Sequence, residues 1–388
     1  MGKKCLGKGR SVVLFSIFFL YPILSNVILA QTRSENQSGN SKVHELLSYK
    51  NSKGVSKPIV TTADWEKKRR QILDSMQAVM GKLPSRANLP SLDIQVIDSL
   101  KEVNYTRYTI NFAVAENERL PALLYVPFKK SNTEKFPAML VLHGTGANGK
   151  RIVDGDSYSP NHAQAKELAQ RGYVVIAPDY PSFGDMKDYD FDHDRYESGT
   201  MKGIFDHMRC IDLLQSRKDV DPECIGVLGH SLGGHNSMFV GAFDKRIKVI
   251  VSSSGWTLFG NYNAGEEVTN KFGGRLGPWA QKRYIPLFHD KYNLDPARIP
   301  FDFDEVIAAL APRPFFSCSP LRDANFDVKG VRLGIASAEK VYRFLKAEDN
   351  LQVRYPDAEH DFPPLVRLEA YRFIDKIFKF TPSVDEIK

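Results

Sequence analysis

From residue 138 to residue 379 short apolar runs alternate with longer amphipathic stretches. The apolar runs are AMLVLHG (138–144), YVVIAPD (173–179), IGVLGHS (225–231), IKVIVSSS (247–254), PFFSCSP (314–320) and LQVRYPD (351–357). Short, near-continuous apolar runs of this kind read as strands buried on both faces. Helices are expected between them, near 161–171, 200–216, 232–243, 303–310, 329–347 and 364–379. The alternation predicts an α/β domain with a mostly parallel central sheet and helices on both faces. Upstream, YTRYTINFAVA and LPALLYVP within 94–126 read as two further strands. Trp65, Ile72, Leu73 and Met76 recur at helical spacing and predict a helix over 64–80.

Two stretches break the alternation. Residues 180–200 carry a run of acids, and 255–300 form a long connection after the sixth expected strand. A connection of that length in a compact domain is usually a lid or binding loop. It holds Trp256, Tyr262, Trp279, Arg283 and Tyr284. At the start, Lys3, Lys4, Lys8 and Arg10 precede the uncharged stretch Ser11–Ala30, and polar residues follow from Gln31. That is the pattern of a secretory signal cut after Ala30, although Ile28 stands where a small residue is preferred. An uncleaved anchor is the alternative, weakened by Pro22, Ser25 and Asn26. The expected organisation is a signal over 1–30, a polar leader and helix over 31–90, with 31–57 loose, and one large α/β domain over 91–388.

Composition narrows the function classes. The hydrophobic share of 42% over 388 residues excludes a disordered chain and allows a large core. The formal charge is +7, but residues 1–30 hold four bases and no acid; the other forty-nine bases against 46 acids leave +3. That is too weak a field to argue for nucleic acid or an anionic membrane. No C-x-x-C occurs, so a zinc ribbon is excluded. Beyond the signal stand Cys210, Cys224 and Cys318, an odd number, so at least one is a free thiol or bonds another chain; Cys210 fits a buried one. The acidic loop fails as a calcium loop: counting from Asp188, His193 occupies the glycine position and Gly199 the final glutamate. It reads as a solvated charged loop, and no metal is expected.

The chemistry concentrates at Gly229-His230-Ser231-Leu232-Gly233-Gly234, between an apolar strand and a helix. This is G-x-S-x-G in the setting that exposes a serine on a sharp turn. A serine hydroxyl needs a base to take its proton and a carboxylate to orient that base. Both follow in chain order, each just past a strand: Asp323 after 314–320 and His360 after 351–357. Asp327 competes with Asp323, which stands nearer its strand. The expected oxyanion donors are the backbone N–H of Leu232 and that of Thr145, in the glycine-rich loop His143–Gly149; Gly144 and Gly146 remain open for the second. His143 reads as a structural residue of that loop.

The order HGTG, GHSLGG, late Asp, late His resembles the α/β-hydrolase superfamily. With IAPDYPSFG (176–184), LAPRP (310–314) and EHDF (359–362), it is similar to secreted bacterial dienelactone-hydrolase-like and acetylxylan-esterase-like proteins over residues 60–380. The resemblance implies a Ser-His-Asp ester hydrolase that needs no cofactor. True dienelactone hydrolases look to a cysteine where Ser231 stands, which puts that substrate in doubt. Export suggests an extracellular ester, and the aromatics of 255–300, Trp256 and Tyr262 first, suit stacking on a sugar. The expected substrate is a small-molecule or polysaccharide ester, with removal of acetyl or methyl groups. A prolyl-oligopeptidase-like peptidase is an alternative, though 90 upstream residues cannot make its propeller. A silent hydrolase fold used for binding is another.

Overall fold

The computed structural model describes residues 43–386, except 130 and 132. The expected signal and its cleavage site lie outside the described residues. The strands are β1 (Ser48–Lys50), β2 (Ser56–Pro58), β3 (Gln95–Lys101), β4 (Tyr105–Ala115), β5 (Glu118–Pro127), β6 (Phe136–Leu142), β7 (Val174–Pro178), β8 (Val220–His230), β9 (Val249–Ser253), β10 (Phe315–Cys318) and β11 (Leu351–Arg354). The helices are α1 (Thr62–Met80), α2 (Gln164–Arg171), α3 (Gly199–Ser216), α4 (Leu232–Phe243), α5 (Glu266–Lys271), α6 (Leu287–Asp290), α7 (Phe303–Leu310), α8 (Val328–Phe344) and α9 (Pro364–Phe378).

Nine strands form one sheet in the order β11-β10-β9-β8-β6-β7-β5-β4-β3. The six from β6 to β11 run parallel, and β5, β4 and β3 add antiparallel at one edge. Alternate residues of the central strands serve two cores. Ala138, Leu140 and Leu142 of β6 join one, with buried residues of α1, α3, α4, α7 and α8. Met139 and Val141 join the other, with α2 and α9. This is the mostly parallel sheet covered on both faces that the alternation of apolar runs predicts, in the α/β-hydrolase fold that the family resemblance implies. From β6 the chain passes to β7 on one side and later to β8 on the other. The loops after β6 and β8 therefore part at a topological switch point, where open parallel sheets place their crevice.

Two sequence expectations change here. Within the stretch 94–126 that reads as strands, β3 is a third strand beside the two expected: QVIDSLK neither alternates nor runs apolar, and all seven residues are exposed. It moves the 255–300 insertion from the sixth to the seventh strand of the sheet. Residues 44–59 are not a loose leader either. They pair as β1 and β2, bury Leu46 and Ile59, and tie His44 to the Asp304 carboxylate through its backbone N–H at 2.8 Å and its ring Nδ1 at 3.0 Å. Strands of three polar residues held by distant partners leave no local pattern to read. The acidic loop is solvated, as expected: Asp185, Asp188, Asp190 and Asp192 are exposed, with ion pairs from Asp185 to Lys150 and Arg151 and from Asp192 to Lys282. Among the described residues, Cys210, Cys224 and Cys318 are free thiols, and no helix is long and apolar enough to cross a membrane.

Helix α1 starts at a reciprocal cap between Thr61 and Asp64. Its Trp65, Ile72, Met76 and Val79 are buried in the larger core, and Arg69 donates to the carbonyls of Ala309 and Ala242. A helix so placed is part of the fold. Trp65→Ala should cost about 3–5 kcal/mol in denaturant unfolding, the range for truncating a buried large aromatic. A loss below about 1 kcal/mol, within the range of surface substitutions and weak contacts, would mean that α1 is peripheral.

Candidate active site

Strand β8 ends in a sharp turn. Ser231 has φ 56° and ψ −120°, left-handed backbone that a serine holds only where its surroundings impose it. The surroundings are two glycines. A Cβ on Gly229 would collide with the Gly233 backbone, and one on Gly233 with the carbonyls of Leu142 and His143. Strand β8, the first turn of α4 and the end of β6 pack backbone against backbone there. The Ser231 N–H donates to the Ser253 carbonyl at 2.8 Å, which fixes the turn to β9. Leu232 opens α4, so its N–H has no carbonyl earlier in the helix to bond.

The loops after β10 and β11 meet over this turn. They are tied by Leu321 N–H to the Pro356 carbonyl at 2.9 Å and Arg322 N–H to the Ala358 carbonyl at 3.0 Å. His360 lies with Nε2 2.9 Å from Ser231 Oγ and Nδ1 2.9 Å from Asp323 Oδ2. The Asp323 side chain is buried, and its Oδ1 accepts the N–H groups of Asn325 and Phe326 at 3.0 and 3.1 Å. One oxygen is thus held by backbone and the other faces the imidazole. Asp327 is turned away: its carboxylate caps α8, accepting the Lys329 N–H at 2.8 Å. The structure therefore brings Ser231, His360 and Asp323 together and leaves Asp327 at a helix end.

The loop 143–149 lies across the turn, with Gly144 beside the His230 carbonyl and Ser231. Its two ends are held by buried groups. His143 stacks on Tyr180 with ring centroids 3.9 Å apart, and Nδ1 lies 2.6 Å from the Gly144 carbonyl. Burial pushes the His143 imidazole down to about 4, so it is neutral and Nδ1–H donates. At the far end, the fully buried Lys150 ammonium pairs with Asp179, whose carboxylate also accepts the Lys150 and Asp185 N–H groups at 2.8 and 3.0 Å. A buried ion pair contributes most when its remaining lone pairs are met in this way.

Two hollows open on either side of Ser231, and Thr145 borders both. The first, of about 230 Å³, is walled by Asn148, Ile152, Asp156, His162, His230 and His360. The second, of about 290 Å³, is walled by Leu232, Tyr262, Trp279, Arg283, Tyr284 and Phe326. The 255–300 connection supplies half of the second wall. Its backbone is fastened to α3 by Gly199 N–H to the Lys282 carbonyl and Thr200 N–H to the Tyr284 carbonyl. Tyr284 reaches the 143–149 loop, its hydroxyl 3.2 Å from that of Thr145.

Of the two aromatics expected to bind substrate, Tyr262 lines the second hollow and Trp256 does not. Trp256 is 1% exposed, donates its indole N–H to Ser317 Oγ at 3.0 Å, and fills a slot left open by Gly334. Trp279, further along the same connection, takes the wall position. The sequence reading assigned no role to His162 or His230; no spacing in the chain sets them apart from structural histidines.

Residues 191–346 match the family described as "Glucuronyl esterase, fungi", and residues 81–262 match "Acetyl xylan esterase (AXE1)". Ser231 falls in both stretches and Asp323 in the first. Among curated proteins, the chain is 26% identical over 309 residues to the putative hydrolase YtaP of Bacillus subtilis (strain 168), covering 77% of this chain and 96% of that protein. It is 31% identical over 200 residues to the carbohydrate esterase MZ0003 of an unknown prokaryotic organism, covering 47% of this chain and 45% of that one. A solved structure of a glucuronoyl esterase from Solibacter usitatus superposes with a TM-score of 0.66 at 19% identity, covering 87% of this chain and 99% of that one.

Beneath the cleft, His207 on α3 is 1% exposed, and neither ring nitrogen has a hydrogen-bond partner among the described residues. Burial pushes it down to about 3. The imidazole is neutral in the fold and takes a proton on unfolding below its ordinary value near 6.5. Its effect on stability is therefore absent above that value and grows as a loss when pH falls toward 3. His207→Leu removes the loss. Relative to wild type, its unfolding free energy should improve by about 2 kcal/mol more at pH 5 than at pH 8. Equal changes at the two pH values would show that His207 titrates normally.

Proposed function

We propose that this α/β-hydrolase, a carboxylic ester hydrolase by the families it matches, works through a serine acyl-enzyme on esters of carbohydrates. The observation that carries the reading is the relay from Ser231 Oγ to His360 Nε2 and from His360 Nδ1 to Asp323, both at 2.9 Å. Ser231 attacks the ester carbonyl as His360 takes its proton. Asp323, fixed by two backbone donors, holds the tautomer whose Nε2 faces the serine and stabilises the imidazolium that forms. The N–H groups of Leu232 and Thr145 receive the charge on the carbonyl oxygen. His360 then returns the proton to the departing alcohol, and water releases the acid by the same steps.

The carbohydrate part rests on the walls and on the relatives. Tyr262, Trp279 and Tyr284 offer faces for a sugar ring, with Arg283 beside them. A hollow of about 290 Å³ is far larger than an acetyl group requires. The matched families carry glucuronyl and acetyl xylan esters in their descriptions. Such polysaccharides lie outside the cell, in agreement with an export signal over residues 1–30 cut near Ala30. The intact relay weighs against a silent binding module.

Kinetics on a p-nitrophenyl ester series, a methyl uronate and acetylated xylan test the reading. Ser231→Ala should lose roughly 10⁴-fold or more in turnover, and Asp323→Asn roughly 10³–10⁴-fold. Asp327→Asn should stay within about tenfold, since its carboxylate serves a helix cap worth about 1 kcal/mol of stability. Circular dichroism on each variant excludes misfolding. A crippled Asp327→Asn beside a near-normal Asp323→Asn would overturn the assignment of the acid.

A further inference from the structure

The two hollows beside Ser231 differ in charge. The first is bordered by His360 and by the exposed Asp156. Among the described residues, no carboxylate borders the second, and Arg283 is the one charged side chain on its wall. His235 borders it too, but burial pushes that imidazole down to about 3, so it is neutral, with Nδ1 3.1 Å from the Gly255 carbonyl. The Asp323 carboxylate is taken up by His360 and by the N–H groups of Asn325 and Phe326, and it does not border the hollow.

The Arg283 guanidinium is oriented without being neutralised. Its Nε and Nη2 donate to Gln281 Oε1 at 3.0 and 2.6 Å. Gln281 is itself fixed by donating from Nε2 to the Pro278 carbonyl at 2.9 Å. The guanidinium carbon also lies 5.5 Å from the ring centroids of both Phe183 and Tyr284. Gln281 and Tyr284 border the second hollow, so the group they hold stands at that wall. An amide oxygen and two ring faces set its direction and leave its charge unmatched. The neighbouring Lys282 pairs with Asp192, and Arg195 with Glu118. Among the described residues, no carboxylate stands within ion-pair distance of Arg283, and its Nη1 is open to solvent with no hydrogen-bond partner. A half-buried guanidinium held in one orientation without an anion is a ready receptor for a carboxylate.

The direction of the reaction says which part of the ester brings that carboxylate. In acylation the imidazolium hands its proton to the departing oxygen, so that oxygen stands beside His360 Nε2. His360 borders the first hollow, so the alcohol leaves on that side and the acyl group extends toward the second. We propose that the second hollow is the acyl subsite, that it takes an acyl group carrying a second, ionised acid, and that Arg283 pairs with that free carboxylate. The proposal rests on the reading of Ser231 as nucleophile. Half-esters of dicarboxylic acids are the simplest members of the class. A lone uronic ester has its one carboxyl in the bond that breaks, and an acetyl ester has no second acid, so neither offers Arg283 an anion. A sugar hydroxyl acylated by a dicarboxylic acid does. Ser231 Oγ bonds the carbonyl carbon, the bond from that carbon to the alcohol oxygen breaks, and the serine proton passes through His360 to that oxygen. Water then reverses these steps and frees the diacid. Arg283 touches none of the reacting atoms; it selects the acyl group.

The test uses the full chain near neutral pH with two p-nitrophenyl esters of equal length, mono-p-nitrophenyl adipate and its terminal amide, p-nitrophenyl adipamate. The readout is the ratio of their kcat/KM values. Wild type should favour the acid roughly tenfold, the low end for a charge-assisted hydrogen bond, because a half-exposed guanidinium is partly screened. Raising the KCl concentration should lower that ratio. Arg283→Met should bring it near one and remove its salt dependence, and Arg283→Lys should fall between, since a point charge replaces the fork. Circular dichroism checks the fold of each variant, and the salt series on wild type reads the same charge without a substitution. A wild type that cleaves p-nitrophenyl acetate yet does not favour the acid would overturn the proposal and leave Ser231 in place. A preference that Arg283→Met and Arg283→Lys both leave unchanged would overturn it too. A wild type that releases no p-nitrophenol from any of the three esters would overturn the reading of Ser231, and the proposal with it.

Discussion

The close backbone packing at Gly229 and Gly233 is the constraint on which the site depends. It brings the end of β8, the start of α4 and the end of β6 together with no side chain between them, and Ser231 is forced into left-handed backbone as a result. The strain has a chemical return. It lifts Oγ clear of the sheet and leaves the first amide of α4 pointing past it. The same approach brings the loop after β6 over the serine, because Gly233 packs on the carbonyls of Leu142 and His143. One steric condition thus places the nucleophile and both proposed oxyanion donors.

Around that fixed point, the cleft is assembled from long connections anchored by buried polar groups. Lys150 and Asp179 clamp the far end of the 143–149 loop. Asp302 fastens the 255–300 connection: both its oxygens lie 3.0 Å from the Phe259 N–H, and Oδ1 also accepts the Phe303 N–H at 2.7 Å. The Asp323 loop is tied to the His360 loop by two backbone bonds, by the Arg322–Asp357 ion pair and by the Asp323–His360 contact itself. Each anchor is a group with its hydrogen bonds met inside the protein, the condition under which buried polarity rigidifies a fold. The His230 Nε2, on the Ser231 turn, departs from that condition: it is buried without a partner among the described residues.

Much of this arrangement was readable before any coordinates. Ser231, Asp323 and His360 each stand just past an apolar strand, so the parallel sheet alone carries them to one edge, and chain order orders the roles. Asp323 stands five residues past the end of β10, in the loop, whereas Asp327 is the cap of α8. The walls were not readable in the same way. Trp256 and Trp279 are both aromatics in one long connection, and what sends the first into the core is a slot at Gly334, 78 positions along the chain. The strand β3 was invisible because all its side chains, Val96, Ile97 and Leu100 among them, face solvent. The docking of residues 44–59 depends on Asp304, some 260 residues away. Local periodicity encodes which face of an element is buried. It is silent on which distant groups meet.

The most direct test of the account is chemical. A serine that is both exposed and activated should react with diethyl p-nitrophenyl phosphate, which leaves a stable phosphoryl group on the nucleophile. Peptide mass spectrometry after a stoichiometric dose should find the diethylphosphoryl group on the peptide containing Ser231, with ester hydrolysis lost in proportion to labelling. Labelling at another residue, or full ester turnover by a protein labelled at Ser231, would contradict the central claim.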